Sequence, residues 1–163
     1  MAEGVRILEV GPALTFAMRE GMFALAHIEE ELLYGTDIEP SGFIAALDEA
    51  MLADDKHWKK HYQGTELEIR MKRKYSFSDR CRYYMPTPSV EEAKERLIGN
   101  LRQLGIPLNL LSQFIPIQST TVSEGLLENT PHALVAARMM HTMAESMTAP
   151  HKNELSRPFK TNK

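Results

Sequence analysis

The feature that most constrains this chain is one strand-like run with nothing in the sequence to pair with it. "VRILEV", Val5 to Val10, is β-branched and apolar and stops at Gly11-Pro12. From there "ALTFAMREGMFALAHIEEELL" carries Leu14, Met18, Gly21, Leu25, Ile28 and Leu32 at alternating spacings of four and three. That period predicts a helix with one apolar face. Arg19, Glu20, His27 and Glu29 to Glu31 fall largely on the other side, and Gly35 suits the stop. A parallel strand needs neighbours for its hydrogen bonds and cover on both faces. Two readings therefore stand. Val5 to Val10 is an extended arm, or it is the last strand of a sheet or barrel whose other strands lie upstream of residue 1.

The remainder reads as short helices with clear punctuation. Ser41 suits the cap of a helix over about 42–53, with Phe43, Leu47, Ala50 and Met51 inward. "DDKHWKKHYQG" reads as a short helix ending near Gly64, and "TELEIRMKRK" as another. Ser76 or Ser78 can cap a helix bearing Asp79 to Met85. Ser89 with Glu92 is a capping box opening a helix to about Leu104, which Gly105 and Pro107 end. "LNLLSQFIPIQ" is apolar and broken by Pro116. Thr130 before Pro131 is a cap followed by the first-turn proline of a last helix. Ala133, Ala136, Met140, Met143 and Met147 form its expected inward face, and the tail 150–163 reads as disordered.

At 163 residues the chain can form one domain with a real core. Its charge is uneven: residues 1–55 hold 12 acidic and 2 basic side chains, residues 56–82 hold 9 basic and 3 acidic. Cys81 is the only cysteine, so no internal disulfide forms. No apolar run reaches membrane-span length and no signal peptide is recognisable, which makes a cytoplasmic protein the expectation.

Candidate sites are few. His57 and His61 have the spacing of two metal ligands on a helix, but Trp58 stands where a zinc-protease Glu belongs and Lys59 and Lys60 repel a cation. No metal site and no catalytic residue is assigned. Cys81 lies between Arg80 and Arg82, which favours a thiolate, while a buried structural thiol is the simpler reading. A Gly turn before a helix presents backbone N–H groups to an anion, so Gly11, Ala13 and Thr15 are weak phosphate-binding candidates. "RKYSFSDRCRYYM", Arg73 to Met85, concentrates four basic residues with three Tyr and one Phe. It suits a phosphate clamp, a base-stacking surface or a packed corner. Its basic stretch is too narrow for an ordinary nucleic-acid face, and a corner with Arg side chains bridging to the acidic first third is the simplest account.

Four stretches in order then carry a resemblance: "VGPALTFAMREGMFALAHIEEEL", "YSFSDRCRYYMP", "IPLNLLSQFIPIQ" and "TPHALV". They resemble the C-terminal part of the class II D-tagatose-bisphosphate aldolase non-catalytic subunit family, the GatZ/KbaZ type, over about residues 5–148. The resemblance implies a mainly α chain. It would hold the last βα unit of a TIM (β/α)8 barrel (1–36), a helical C-terminal region (37–149) and a disordered tail (150–163). It implies a subunit that activates and stabilises a catalytic aldolase partner in galactitol and amino-sugar breakdown. It meets sugar bisphosphate through that complex, with homo-oligomers allowed and neither nucleic acid nor membrane as partner. No cofactor is expected in this chain; a divalent metal, zinc, is expected in the catalytic partner. The structural and interface motif carried over is Tyr75, Ser76, Ser78, Asp79, Arg80, Arg82, Tyr83, Tyr84 and Gln113. Met85, Phe114 and Ser119 depart from the family's usual aromatics. The alternatives are a fragment of a metal-dependent sugar-phosphate epimerase or aldolase of the same family, and a small helical nucleic-acid-binding module. The kinase label given to some related sequences has no support here, for no Gly-rich phosphate loop is present.

Overall fold

The computed structural model describes residues 11–148, and every regular element among them is helical. Val5 to Val10 and the tail 150–163 lie outside the described residues. The helices are α1 (Gly11–Leu32), α2 (Phe43–Ala53), α3 (Glu66–Tyr75), α4 (Pro88–Leu104), α5 (Leu108–Phe114), α6 (Pro116–Ser123) and α7 (Pro131–Thr148), with a 3-10 turn at Cys81–Tyr83.

The long α1 is the axis of the bundle. Helices α2, α4, α5 and α7 all pack on it, and α7 lies along it most extensively. A helix surrounded this way is buried on nearly every side, so one-sided amphipathicity is the wrong picture. Leu25 and Ile28 are fully buried as expected, but so are Phe23 and Ala26 on other faces. Arg19 and Glu29, expected on the solvent side, are each only 2% exposed. The core continues through Phe43, Leu47 and Met51 of α2, Val90, Leu97 and Leu101 of α4, Leu111 of α5 and Leu134 of α7.

Glu29 shows how a carboxylate is tolerated inside. It accepts hydrogen bonds from the Ser41 backbone N–H at 3.1 Å, from the Ser41 hydroxyl, and from the Asn100 side-chain amide at 2.6 Å. Asn100 also donates to the Glu39 carbonyl at 2.9 Å. These donors tie α1, the entry to α2 and α4 together, and satisfy the lone pairs that burial would otherwise leave unmet.

Local punctuation was partly as read. Thr130 caps α7, its hydroxyl accepting the Ala133 N–H at 3.4 Å, and Gly105 closes α4 with φ of 73°, open to glycine without strain. Pro116 separates α5 from α6. Four expectations are corrected. Ser41 is not the N-cap of α2: Gly42 holds that position, and the Ser41 hydroxyl is engaged by Glu29 and the Phe43 N–H. Residues 54–63 form turns instead of a helix, because Trp58 folds back to bury its ring and donate its indole N–H to the Met51 carbonyl. The capping box sits at Thr65 and Glu68, opening α3, while α4 starts from Thr87 with Pro88 in its first turn. The helix expected over 79–85 is only a 3-10 turn. Asp79 is buried there and its carboxylate accepts the Cys81 N–H at 3.0 Å, bending the chain.

The face of α7 is also reversed. Its inward side carries Leu134, Val135 and Arg138, while Ala136 and Met143 are exposed and Met140 is 70% exposed. Ala133 is half-buried, and the Met147 side chain lies outside the described residues. Two contacts set this rotation. Val135 packs over Gly21, where a Cβ would just reach contact with its Cγ2, at 3.4 Å, and a longer side chain would not fit without displacing it. Arg138 then donates to Glu20 at 2.6 Å, holding a polar residue on the α1 side. A Gly21→Leu substitution is expected to force α7 off α1 and to destabilise the fold by about 1–3 kcal/mol. Chemical denaturation would show this as a lower midpoint, and an unchanged midpoint would refute the close-packed contact.

Candidate functional site

An open cleft of about 580 Å³ runs along one side of α1. Its floor is Phe16, Arg19, Glu20, Phe23, Ala24 and His27, successive positions on one helical stripe. Tyr75 and Phe77 form one wall, and Phe114 to Gln118 with Arg138 form the other. The rings are ordered by contact. Phe77, itself 70% exposed, stacks on Phe16 at 5.6 Å, Tyr75 meets Phe23 edge-on at 5.8 Å, and His27 stacks on Phe114 at 6.0 Å.

Arg19 organises the first wall. Its two terminal nitrogens donate to the backbone carbonyls of Lys74 and, at 3.3 Å, Ser76. Its guanidinium lies over the Phe16 ring at 4.7 Å and the Phe23 ring at 5.6 Å. Asp79 balances the charge from 3.5 Å, with both side chains almost wholly buried. The Arg19 Nε and one Asp79 oxygen, Oδ2, have no hydrogen-bond partner.

The motif residues named from the sequence divide into three groups. Tyr75 lines the cleft, and Ser76 and Asp79 hold its wall through Arg19. Ser76 Oγ accepts the Ser78 N–H at 3.1 Å, and the Ser78 carbonyl accepts the Tyr62 hydroxyl at 2.7 Å. Tyr83 and Tyr84 face another hollow, about 460 Å³, lined by His57, Glu49 and Asp54 among others. There Tyr83 stacks on His57 at 4.5 Å, and Arg82 donates to the Tyr83 hydroxyl at 2.9 Å. That bond and the guanidinium charge lower the Tyr83 phenol below its ordinary value. The buried Tyr84 donates its hydroxyl to the Asp54 carbonyl at 2.6 Å. Arg80 is half-buried with an unpartnered Nε, and the exposed Gln113 reaches only Ser112 Oγ at 3.2 Å.

Gly11, Ala13 and Thr15 lie in the first turns of α1 and line neither hollow. The Thr15 hydroxyl is engaged by the carbonyls of Gly11 and Pro12 at 3.3 and 3.1 Å. Of the basic stretch, Arg73 is buried in a two-pronged ion pair with Asp48, at 2.7 and 3.1 Å, with its guanidinium over Trp58 at 5.4 Å. One Arg therefore does bridge to the acidic first third. Among the described residues no group of three or more His, Cys, Asp or Glu is placed to hold a metal ion. No helix among them is long and apolar enough to cross a membrane.

Phe16, Arg19, Phe23, Phe77, Gln118 and Arg138 were not singled out from the sequence. The available signal was positional: all except Arg138 lie in three of the stretches that carry the family resemblance, and these converge on the cleft.

The described chain is a helical unit built round a central helix, with an aromatic and arginine-bearing cleft within the size range of small-molecule sites. It belongs to the D-tagatose-1,6-bisphosphate aldolase subunit GatZ/KbaZ-like family, whose model matches residues 1–151. The D-tagatose-1,6-bisphosphate aldolase subunits GatZ of Salmonella paratyphi B and Salmonella newport are each 43% identical to it over 137 residues. Those 137 residues are 84% of this chain and 32% of each relative, so the chain spans about a third of the length of these curated relatives. A crystal structure of a probable tagatose 6 phosphate kinase from Sinorhizobium meliloti 1021 superposes with a TM-score of 0.78 at 33% identity. That match covers 88% of this chain and 36% of the other.

Cys81 sits behind the motif, donating to the Arg73 carbonyl at 3.1 Å. Burial, then the nearby Asp79 charge, push its thiol well above the ordinary value, so the flanking arginines do not make it a thiolate. Burial likewise pushes Tyr62 up to about 12. Both groups are raised on folding, so their stability contribution is complete below their ordinary values of 9.0 and 10.0 and is lost as pH rises beyond. The expected result is stability that does not respond to these two groups near neutrality and falls above about pH 9. A Tyr62→Phe variant should show a shallower decline between pH 10 and about 12. Denaturant midpoints against pH check this, and an identical decline in that variant would remove Tyr62 from the account. Cys81 should react with a thiol reagent only after unfolding.

Proposed function

We propose that this chain is the C-terminal part of a non-catalytic subunit that activates and stabilises a class II D-tagatose-1,6-bisphosphate aldolase. The observation that carries the reading is the family match over 1–151, joined to relatives named as subunits of that aldolase. In this reading α1 is the last helix of a TIM barrel and the helices that follow it form the C-terminal region. The position of α1 as the longest and most enclosed helix supports a segment that ties the two parts together. The fit also rests on chemistry. Class II aldol cleavage uses a divalent metal as Lewis acid on the substrate carbonyl. The donor groups here are engaged elsewhere: Glu29 by Ser41 and Asn100, Asp48 by Arg73, and Asp79 by Arg19 and the Cys81 amide. That engagement supports the reading in which the divalent metal, zinc, sits in the catalytic partner.

The role of this chain is to present surface. Tyr75, Ser76, Ser78, Asp79, Arg80, Arg82, Tyr83, Tyr84 and Gln113 act as a structural and interface element, with the exposed Tyr83 and Gln113 available to a partner. The complex works on sugar bisphosphate in galactitol and amino-sugar breakdown, in the cytoplasm. The kinase named for the Sinorhizobium meliloti relative is not carried over, because this chain has no Gly-rich phosphate loop.

The test is aldol cleavage of tagatose 1,6-bisphosphate by a catalytic subunit, with and without this chain. Turnover is expected to rise in the mixture and to be absent with the chain alone. Cleavage by the chain alone, or a mixture no faster than the catalytic subunit, contradicts the reading.

A further inference from the structure

The uneven charge of the sequence is only partly spent inside the fold. Of the basic stretch, Arg73 pairs with Asp48 and Lys59 with Asp55, while Arg70 and Lys74 have no ion pair among the described residues. Both lie on α3, which is held from one side. Ile69 and Arg73 turn toward the rest of the molecule. Opposite them Leu67, Met71 and Tyr75 follow one another at intervals of four, one exposed apolar ridge, with Leu67 at 65% exposure. Arg70 and Lys74 run beside that ridge, three residues on from Leu67 and Met71. Aromatic rings, Met and Arg are the side chains enriched at protein interfaces. A surface of the opposite charge lies at the far end of α1. Tyr34 is 93% exposed, and the exposed Glu31 and Asp37 on either side of it in the sequence have no ion pair among the described residues. The two surfaces do not meet within one chain: Arg19 ties down the Lys74 end of α3, and Glu31 stands twelve residues further along α1, a rise of about 18 Å.

We propose that the outer face of α3 docks the Tyr34 end of α1 in a second copy of this chain. The Tyr34 ring lies against Leu67 and Met71, and the carboxylates of Glu31 and Asp37 meet Arg70 and Lys74. A bare polyanion would answer the cations and leave the apolar ridge in water; the second copy answers both. The two faces differ, so the contact is head-to-tail, and every pair keeps one free face of each kind. Association therefore runs past the dimer or closes into a ring. It needs no catalytic subunit, so a failed aldolase assay and a failed association assay are separate results.

The test is sedimentation velocity of the whole chain over a range of concentrations, at low salt and at roughly 1 M salt, where the screening length falls to about 3 Å. Reversible association is expected at low salt, weaker by about tenfold or more at high salt. Tyr34→Ala, at a side chain almost wholly in water, should weaken it by about tenfold or more. The paired changes Arg70→Glu with Lys74→Glu, and Glu31→Lys with Asp37→Lys, should each leave a monomer. Mixed in equal amounts, the two variants should associate again, because each keeps the face that the other has lost. Misfolding cannot produce that gain. Leu126→Ala, at an exposed site on neither face, should change nothing. The proposal is overturned by a chain that stays monomeric at low salt, by association that ignores Tyr34→Ala and both paired changes, or by two monomeric variants that do not associate when mixed.

Discussion

The buried guanidinium of Arg19 is the interaction on which the cleft beside α1 depends. A cation that is 2% exposed must be surrounded by compensating groups, or the fold loses several kcal/mol. Arg19 draws them from a segment about 55 residues away in sequence: the carbonyls of Lys74 and Ser76 and the carboxylate of Asp79. That demand brings the end of α3 and the corner after it onto α1. Phe77 then falls on Phe16 and Tyr75 on Phe23, and one wall of the cleft exists. Ten residues along the same helix Glu29 does the equivalent work with Ser41 and Asn100. Between these two anchors α1 is gripped as an axis, and Gly21 lets α7 lie down beside it.

This explains what the sequence could and could not disclose. Helix ends governed by local chemistry were legible: Thr130 with Pro131, Gly105, and the break at Pro116 follow from a few neighbouring atoms. The family was legible because four ordered stretches carry it. Burial of Arg19 and Glu29 was not, because periodicity assigns charges to the outside and only a distant partner overrides that rule. The Met side of α7 misled for the same reason. Apolar spacing pointed inward, while Val135 over Gly21 and the Arg138–Glu20 pair turned it outward. The turns at 54–63 depend on the Trp58 indole finding the Met51 carbonyl, a tertiary event that helix propensity does not see. The cleft draws on stretches separated by dozens of residues, so no local motif marks it.

The motif that drew most notice in the sequence is thus two things at once. Its first half, Tyr75 to Asp79, serves the cleft; from its second half Tyr83 and Tyr84 face a separate hollow with His57. Cys81 lies at the joint, buried and protonated. Aromatic and basic residues in one short stretch suggested a single ligand surface, and the intervening 3-10 turn divides them. Three of the four stretches that carry the family resemblance line the cleft beside α1.

The most direct measurement is a double-mutant cycle on unfolding free energy with Arg19→Met, Asp79→Asn and the pair together. If Arg19 is the pin that holds the corner to α1, each single change is destabilising and the two are coupled by more than about 1 kcal/mol, as expected of buried partners in contact. Additive effects within about 0.5 kcal/mol would show that the Arg19–Asp79 pair does not hold the corner, and no destabilisation by Arg19→Met would show that the cleft does not depend on Arg19.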